Sequence, residues 1–168
     1  MHIRNALITD LIEIVNIYNS TIPDRLATAD LTAISVESRL DWFRNRDFRY
    51  RPIWVIEKKN PNQDDSRILG WLSFNDFYGR PAYQQTAELS IYVAAKNRHQ
   101  GVGSYLLQQA IAACPQLQIK VLLGFVFAHN KPSLKLLQKY DFVEWGKLPQ
   151  VAKLTQQDQD LIILGKKI

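Results

Sequence analysis

The side chains best suited to chemistry lie on one short segment, Thr86–Val93. Alternation along it places Glu88, Ser90 and Tyr92 on one face of a predicted strand and apolar side chains on the other. A carboxylate on such a face can act as a general base, which accepts a proton from a reacting group. Glu88 is the candidate for this role. A solvent-facing glutamate, or one in an ion pair with Arg80, is the alternative.

A glycine-containing turn follows this strand and opens a helix: Arg98-His99-Gln100-Gly101-Val102-Gly103. Glycines let backbone N–H groups converge on an anion, and the free N–H groups at a helix start favour a pyrophosphate. Arg98 adds a positive charge. The turn lacks the third glycine of a dinucleotide-binding GxGxxG fingerprint and the lysine of a GxxxxGK[ST] phosphate loop. Taken alone, the turn also fits a strand-to-helix connection that binds nothing.

Two motifs together carry a family resemblance. Arg98-x-x-Gly101-x-Gly103 resembles the acyl-CoA pyrophosphate motif of the GNAT acetyltransferase superfamily. The run from Asn130 to Leu136, on a predicted helix after an apolar strand, is similar to the second motif of that superfamily. The segment Thr86-Ala87-Glu88-Leu89-Ser90-Ile91-Tyr92-Val93 resembles the corresponding strand of the phosphinothricin acetyltransferase branch. The resemblance covers nearly the whole chain.

The resemblance implies an acetyl-CoA-dependent N-acetyltransferase that acts on the amine of a small molecule, such as an amino acid or an amino-acid-like toxin. Because most amines are protonated near pH 7 and the attacking amine must be neutral, the resemblance implies that Glu88 is the base that accepts the amine's proton. It also implies a homodimer, and CoA that enters where two parallel strands separate. Candidate cofactor-binding residues are Ile91, Tyr92, Val93, Arg98, His99, Gln100, Gly101, Val102, Gly103, Ser104, Asn130 and Ser133. Candidate acceptor-binding residues are Arg80, Tyr83, Ser90 and Tyr92. For Asn130, a simple helix cap is an equal alternative.

The chain departs from the family pattern at three places. Leu137 stands where relatives carry a tyrosine or histidine that protonates the leaving thiolate, and Tyr140 lies one turn later. Asp141 replaces a usual glycine. Residues 151–158 replace a segment with tryptophan and histidine. Two rival functions therefore stay open, a protein or peptide N-acetyltransferase and an acyl-CoA sensor without turnover.

The elements that must position these residues follow from periodicity and from breaking residues. We predict a first strand at 3–6, a first helix that ends near Asn19 and a second helix that starts after Ser35. Strands are predicted at 53–57, 68–77 and 86–93. A loop at 94–103, a helix at 104–113, a strand at 119–127 and a helix capped by Asn130 follow. Closing strands are predicted at 142–145 and 160–164, and residues 60–66 read as a hairpin connection. This order predicts a single α/β (α+β) domain over residues 1–168, with a mixed, splayed sheet of about seven strands and about four helices.

Composition excludes several other classes of protein. The 168 residues are 46% hydrophobic and 22% charged, and the net charge of +5 is too small and too dispersed to indicate nucleic-acid binding. The single cysteine, Cys114, allows no internal disulfide, and no CxxC or HExxH motif predicts a metal site. The longest apolar run is too short to cross a membrane, and the N-terminus has no signal-peptide pattern. We expect a cytoplasmic protein with no metal.

Overall fold

The computed structural model describes residues 1–60, 63–154 and 156–168. Its strands are β1 (His2–Asn5), β2 (Ile53–Asn60), β3 (Gln63–Asp76), β4 (Thr86–Val93), β5 (Val121–Phe127), β6 (Val143–Leu154) and β7 (Gln157–Lys167). They form one seven-stranded sheet in the order β1-β2-β3-β4-β5-β7-β6. The β4–β5 pair is parallel and the other neighbouring pairs are antiparallel. The predicted mixed sheet is confirmed.

Four α-helices in these ranges flank the sheet: α1 (Leu11–Asn19), α2 (Leu40–Arg44), α3 (Val102–Ala113) and α4 (Lys131–Lys139). Helix α3 starts two residues earlier than predicted, so the expectation of a loop as far as Gly103 was wrong. Gly101 takes the left-handed conformation, with φ 81°, and ends the loop there. Val102 is 2% exposed, and its burial in the core fixes the first turn of the helix.

The core has two layers because side chains alternate along the central strands. Leu72 and Phe74 of β3 face the cluster that includes α3 and α4, whereas Trp71 faces the cluster that includes α1 and α2. In β4, the predicted inward residues Ala87 and Leu89 are 0% and 7% exposed. The alternation therefore leaves the other face of β4 free to contribute polar side chains to a site.

The closing hairpin is much longer than the sequence indicates. Strands β6 and β7 pair from Val143–Gly165 to Leu154–Gln157, although most side chains of β6 are exposed. Backbone hydrogen bonding to β7, rather than a buried apolar face, extends β6 here, so no period-two pattern marks its outer half. Residues 61 and 62 of the predicted hairpin connection, and residue 155, lie outside the described residues.

Gly70 is the glycine on which the β3–β4 pairing depends most. A Cβ atom there would lie 2.6 Å from the backbone oxygen of Tyr92 and 3.2 Å from the Cα of Val93. We expect Gly70→Ala to lower the free energy of unfolding by about 2–4 kcal/mol, because backbone must move to admit the methyl group. Denaturant unfolding measures this change.

Gly146→Ala is the matched control for that substitution. The nearest atom to a Cβ at Gly146 is Ile163 Cδ1 at 3.6 Å, an ordinary contact. The control should change the free energy of unfolding by less than about 1 kcal/mol. Equal unfolding midpoints for the two variants would contradict the prediction.

Candidate active site

The two parallel strands at the centre of the sheet separate soon after they meet. β4 and β5 pair only from Thr86–Val121 to Glu88–Leu123. Beyond that point a cleft of about 550 Å³ opens, with β4, β5, α3 and α4 contributing to its walls. Glu88 is the last paired residue of β4, so it lies where the strands begin to diverge. The predicted opening between two parallel strands is confirmed.

One end of the cleft is formed by the start of α3. The residues of the predicted phosphate turn that line the cleft are Arg98, His99, Gly101, Val102, Gly103 and Ser104. The backbone hydrogen bond from Tyr105 N–H to Gly101 O, at 2.9 Å, closes the first turn of α3. The three preceding N–H groups of the helix therefore have no partner within it, which is the arrangement that binds an anion.

Gln100 is the exception within the turn. It does not line the cleft, and its side-chain Nε2 donates a hydrogen bond to the backbone oxygen of Lys96 at 2.8 Å. Its predicted role in cofactor binding therefore has no support from its side chain.

The two glycines of the turn serve different physical needs. Gly101 has φ 81°, and among the described residues other than its chain neighbours no atom lies within 4 Å of the position that a Cβ would take, so the backbone conformation favours glycine there. Gly103 has an ordinary helical conformation. A Cβ there would point to Leu136 Cδ2 at 3.3 Å and Val93 Cγ2 at 3.7 Å, and both of those residues line the cleft. A larger side chain at Gly103 would therefore occupy the floor of the cleft.

Helix α4 forms the opposite wall. Asn130 is buried and caps the helix, because its Oδ1 accepts a hydrogen bond from Ser133 N–H at 3.2 Å. Both residues line the cleft, as do Leu136 and Leu137. A Cβ at Gly124 of β5 would lie 2.8 Å from Leu137 Cδ1, so Leu137 packs directly against the strand. The cleft wall is therefore apolar at Leu137, where the family resemblance implies a proton donor.

A segment of the α1–α2 connection, Asp24–Ala27, contacts residues on both sides of the cleft. Leu26 O accepts a hydrogen bond from Asn130 Nδ2 at 3.0 Å, and Ala27 O accepts one from Tyr92 Oη at 3.4 Å. Asp24 forms an ion pair of 3.2 Å with Arg98. Arg98 therefore already has a carboxylate partner, and an incoming pyrophosphate would compete with Asp24 for the guanidinium.

A smaller cavity of about 240 Å³ lies on the Glu88 face of β4. Ser90 and Tyr92 line both this cavity and the larger cleft, so the two spaces adjoin along β4. The remaining lining residues are Ile14, Val15, Tyr18, Ile34, Arg39, Trp42, Trp71, Ser73, Asn75 and Glu88. The smaller cavity, whose walls are mainly apolar and aromatic with a few polar groups, therefore lies next to the end of the cleft.

Glu88 is half-buried and lines the smaller cavity. Burial raises the pKa of its carboxyl group above the ordinary value of 4.5. Within the described ranges its carboxylate has no hydrogen bond or ion pair, so the alternative of an ion pair with Arg80 is not observed. A carboxylate with a raised pKa and no fixed partner is suited to accept a proton.

Tyr92 and Ser90 are held in place by their neighbours on β3. The Tyr92 ring stacks on Trp71, with ring centroids 4.5 Å apart and planes at 22°, and burial raises the pKa of its hydroxyl. Asn75 Nδ2 donates to Ser90 Oγ at 3.4 Å. Both side chains are thus positioned, as predicted, on the same face as Glu88.

Arg80 and Tyr83 lie outside both cavities. Arg80 is exposed, and Tyr83 packs edge-on against Phe77 with ring centroids 5.4 Å apart. They stand in the β3–β4 connection, beyond the end of the strand pair that carries Glu88. Tyr140, considered as a substitute proton donor, also lines neither cavity.

Glu88, Ser90 and Tyr92 of the smaller cavity were predicted as site residues, but sequence reasoning missed the others that line it. Arg39 and Trp42 come from the α2 region, and Trp71, Ser73 and Asn75 come from β3. The signal for the β3 residues was present, because Trp71, Ser73 and Asn75 alternate with buried apolar residues as Glu88, Ser90 and Tyr92 do. Pairing of the two strands was needed to place these sets opposite each other.

Neither a metal cluster nor a membrane helix is found in the ranges given above for the structure. They contain no group of three or more His, Cys, Asp or Glu side chains that could hold a metal ion. None of the helices in these ranges is long and apolar enough to cross a membrane.

Comparison with known proteins finds one family model and several relatives that match most of the chain. Residues 12–142 match the model of the acetyltransferase (GNAT) family. A Bacillus subtilis protein named "Putative phosphinothricin acetyltransferase YwnH" is 46% identical over 168 residues, covering 100% of this chain and 99% of that protein. The L-methionine sulfoximine/L-methionine sulfone acetyltransferase of Pseudomonas aeruginosa is 28% identical, covering 90% of this chain and 85% of that protein.

The fold has close counterparts among solved structures. An N-acetyltransferase from Staphylococcus aureus Mu50 superposes with a TM-score of 0.89 at 32% identity. The match covers 99% of this chain and 97% of that one. The sheet and the flanking helices are therefore shared over essentially the full length.

Proposed function

The chain belongs to the acetyltransferase (GNAT) family, and from this premise we propose that it transfers the acetyl group of acetyl-CoA to the amine of a small, amino-acid-like molecule. Phosphinothricin and methionine sulfoximine, the compounds in the names of its relatives, are both of this kind. The observation that carries the proposal is the splay of β4 and β5, which opens a cleft between the unpaired N–H groups at the start of α3 and the strand that carries Glu88.

The residues of the cleft fit acetyl-CoA. Its pyrophosphate would be held by the unpaired N–H groups of Val102, Gly103 and Ser104 and by the charge of Arg98. Its pantetheine arm would lie along Ile91 and Val93 of β4, whose edge is free of β5 here. When bound, acetyl-CoA supplies the activated acetyl thioester. Asn130 supports this wall as a helix cap, which is the role its hydrogen bonds favour.

We assign the base to Glu88. The acceptor arrives mainly as an ammonium ion, and Glu88 takes its proton directly or through a water held by Ser90 or Tyr92. The neutral nitrogen attacks the thioester carbonyl and a C–N bond forms. The C–S bond then breaks, CoA leaves as the thiolate, and the nitrogen releases its second proton to water as the amide forms. The apolar Leu137 offers no proton to this thiolate, so we assign its protonation to water.

The small cavity favours a small acceptor over a peptide. Its volume of about 240 Å³ is below the roughly 300–1,000 Å³ of pockets that bind drug-sized ligands. The test is release of CoA from acetyl-CoA with a panel of amino acids, amino-acid analogues, simple amines and peptides. Turnover with amino-acid analogues supports the proposal. Turnover with peptides alone supports a protein acetyltransferase, and binding of acetyl-CoA without any turnover supports a sensor.

We also propose a homodimer, formed through the edge strand β6. Trp42 lines the small cavity and Phe77 packs within an aromatic cluster, whereas Tyr78 is 75% exposed but lies away from β6, in the β3–β4 connection. Exposed apolar side chains instead follow one another along β6, namely Val143, Trp145, Leu148 and Val151. An apolar edge strand left open to water invites pairing with another chain.

Sedimentation should therefore show a species of twice 19.4 kDa at micromolar concentration. Leu148→Asp should shift this species to the monomer, because it places a charge in the apolar contact. Tyr78→Ser, at an exposed residue outside the edge, should leave the dimer intact. A wild-type species of 19.4 kDa would contradict the proposal.

Two further proposals complete this assignment. We propose that residues 1–168 act as one N-acetyltransferase domain, because a single continuous sheet carries both walls of the cleft. We propose a cytoplasmic location, which the free and buried thiol of Cys114 suits.

A further inference from the structure

Three polar side chains that share the smaller cavity with Glu88 are joined by hydrogen bonds. In the β3–β4 register, Asn75 is the direct partner of Glu88, and Ser73 is the direct partner of Ser90. Asn75 Nδ2 donates to Ser73 Oγ and to Ser90 Oγ, each at 3.4 Å. All four residues line the smaller cavity. The amide of Asn75 therefore connects the strand opposite the proposed base to a hydroxyl on the same strand as that base.

An arginine that lines neither cavity holds this amide. Arg46 Nη2 donates a hydrogen bond to Asn75 Oδ1. The guanidinium is itself fixed, because its Nη1 donates to the backbone oxygens of Phe74 and of Arg51, the latter at 3.1 Å. It also lies 4.6 Å from the ring centroid of Trp42. Arg46 is thus tied to backbone and to an aromatic ring, and it presents one further N–H to Asn75.

This contact sets the direction of the hydrogen bonds that follow. A guanidinium has only donors, so the atom of Asn75 that faces Arg46 must be the oxygen. The amide nitrogen is then the atom that faces Ser90, and it can only donate. Because Ser90 Oγ accepts this hydrogen bond, its own O–H is left to donate elsewhere. Ser90 lines both cavities, so this O–H can donate to a molecule inside them.

The nearest carboxylate on the same face of β4 is Glu88. Residues two apart on one face of a strand are separated by about 6.6 Å, a distance that a single bridging water spans. Such a water accepts a hydrogen bond from the O–H of Ser90 and donates one to Glu88. Its second lone pair remains for the N–H of an incoming ammonium ion. Every hydrogen bond from Arg46 onwards then points towards the carboxylate that must receive the proton.

We propose that Arg46 is a positioning residue, which acts through Asn75 and Ser90 to hold the water that carries the acceptor's proton to Glu88. The ammonium ion gives a proton to this water, and the water gives one to the Glu88 carboxylate. The water is unchanged, the amine is neutral and Glu88 is protonated. This inference rests on the proposed function. It selects transfer through a water on Ser90 over direct transfer, and it adds a residue that touches neither cavity.

Arg46→Met tests the proposal, because it removes the donor that orients Asn75 and keeps a long side chain beside Trp42. We expect kcat at pH 7 to fall about 10-fold, with the affinity for acetyl-CoA unchanged. The loss should shrink as the pH approaches the pKa of the acceptor amine, roughly 8–10, where the amine is already neutral. A merely structural role would lower the rate equally at every pH.

A double-mutant cycle with Glu88→Gln gives a second criterion. In that background Arg46→Met should lower kcat by less than about 2-fold further, because the route then has no base at its end. A full additional loss of about 10-fold would mean that Arg46 acts on the structure rather than on the proton, and would overturn the inference.

Asn75→Asp applies the same two criteria if Arg46→Met does not fold. It keeps an oxygen for Arg46 and removes the donor to Ser90, so the same loss and the same pH dependence are expected. The matched control is Asn45→Asp, which makes the same change of charge next to Arg46 on an exposed residue that lines neither cavity. The control should keep the wild-type rate.

Ser90→Ala tests the last step without turnover. Losing the water-mediated hydrogen bond disfavours the carboxylate form of Glu88, so carbon NMR should show its pKa raised by about 0.5–1. Ser90→Thr keeps a hydroxyl and should leave that pKa near its wild-type position. Three other charged or titratable residues line the cavity and are the same in both variants: Tyr18, Arg39 and Tyr92.

The outcomes separate this inference from the proposed function. A folded Arg46→Met protein with the wild-type kcat, or an unchanged pKa of Glu88 in Ser90→Ala, would overturn the inference and leave the acetyltransferase assignment intact. A failure of the wild type to acetylate any amine would overturn the proposed function instead. The NMR titration would then decide whether a water joins Ser90 to Glu88.

Discussion

Glu88→Gln should lower kcat by about 10²–10⁴-fold, with the affinity for acetyl-CoA nearly unchanged. Glutamine keeps the shape of the side chain and removes its affinity for a proton. Glu88 lies where β4 and β5 separate and burial raises its pKa, which are the grounds on which we propose that it accepts the amine's proton. Steady-state kinetics with the best acceptor of the panel, together with calorimetry of acetyl-CoA, measure both quantities.

The pH dependence distinguishes a base from a binding contact. Burial raises the pKa of Glu88, and its protonated form cannot accept a proton. The wild-type rate should therefore fall as the pH drops through this raised pKa, with the acidic limb above the ordinary value of 4.5. The variant should lack this limb and should recover part of its rate at high pH, where the acceptor amine is already neutral.

The matched control is Glu13→Gln, a carboxylate on α1 that accepts a hydrogen bond from Asn16 Nδ2 at 3.3 Å and lines neither cavity. This variant should retain the wild-type rate and the acidic limb. A loss confined to KM in Glu88→Gln would instead identify Glu88 as a contact for the ammonium group. An unchanged rate would mean that water carries the proton.

Gly103→Leu should weaken acetyl-CoA binding by about 10²-fold or more. The leucine side chain would extend towards Val93 and Leu136, on the floor of the cleft beside the N–H groups that are assigned to the pyrophosphate. Charge-assisted hydrogen bonds contribute about 1.5–3 kcal/mol each, so displacing the pyrophosphate from two of them accounts for this loss. Calorimetry with acetyl-CoA measures it.

Gly103→Ala separates the steric effect from a change in the helix. Its methyl group would meet Leu136 Cδ2, the end of a flexible side chain, at 3.3 Å. This variant should lose only a few-fold in affinity, while leucine, a good helix former, should not unfold α3. A folded Gly103→Leu protein with wild-type affinity would remove the pyrophosphate from this helix start.

Much of the fold and part of the site follow from local patterns in the sequence. The bounds of β4 and the cap at Asn130 were predicted correctly, because period-two alternation and a capping side chain act over a few residues. The substitution at Asp141 is also explained locally. Its φ of 62° lies in the left-handed region, where glycine is usual and aspartate is tolerated.

Other features depended on neighbours distant in the chain. The start of α3 was misplaced because burial of Val102, not the position of the second glycine, fixes its first turn. The length of β6 was underestimated because its pairing with β7, not an apolar face, extends it. The roles of Arg80 and Tyr83 stay predictions, since both residues lie outside the two cavities.

By itself, the sequence determined the family, the glycine-containing turn before α3 and the carboxylate face of β4, since each depends on residue types a few positions apart. Tertiary structure alone decided the smaller cavity and the position of the Asp24–Ala27 segment. The hydrogen bond from Tyr92 to Ala27 joins residues 65 positions apart, and that from Asn130 to Leu26 joins residues 104 apart. Trp71 reaches Tyr92 only through the register of two paired strands. Contacts of this kind depend on how packed elements meet, so no local periodicity encodes them.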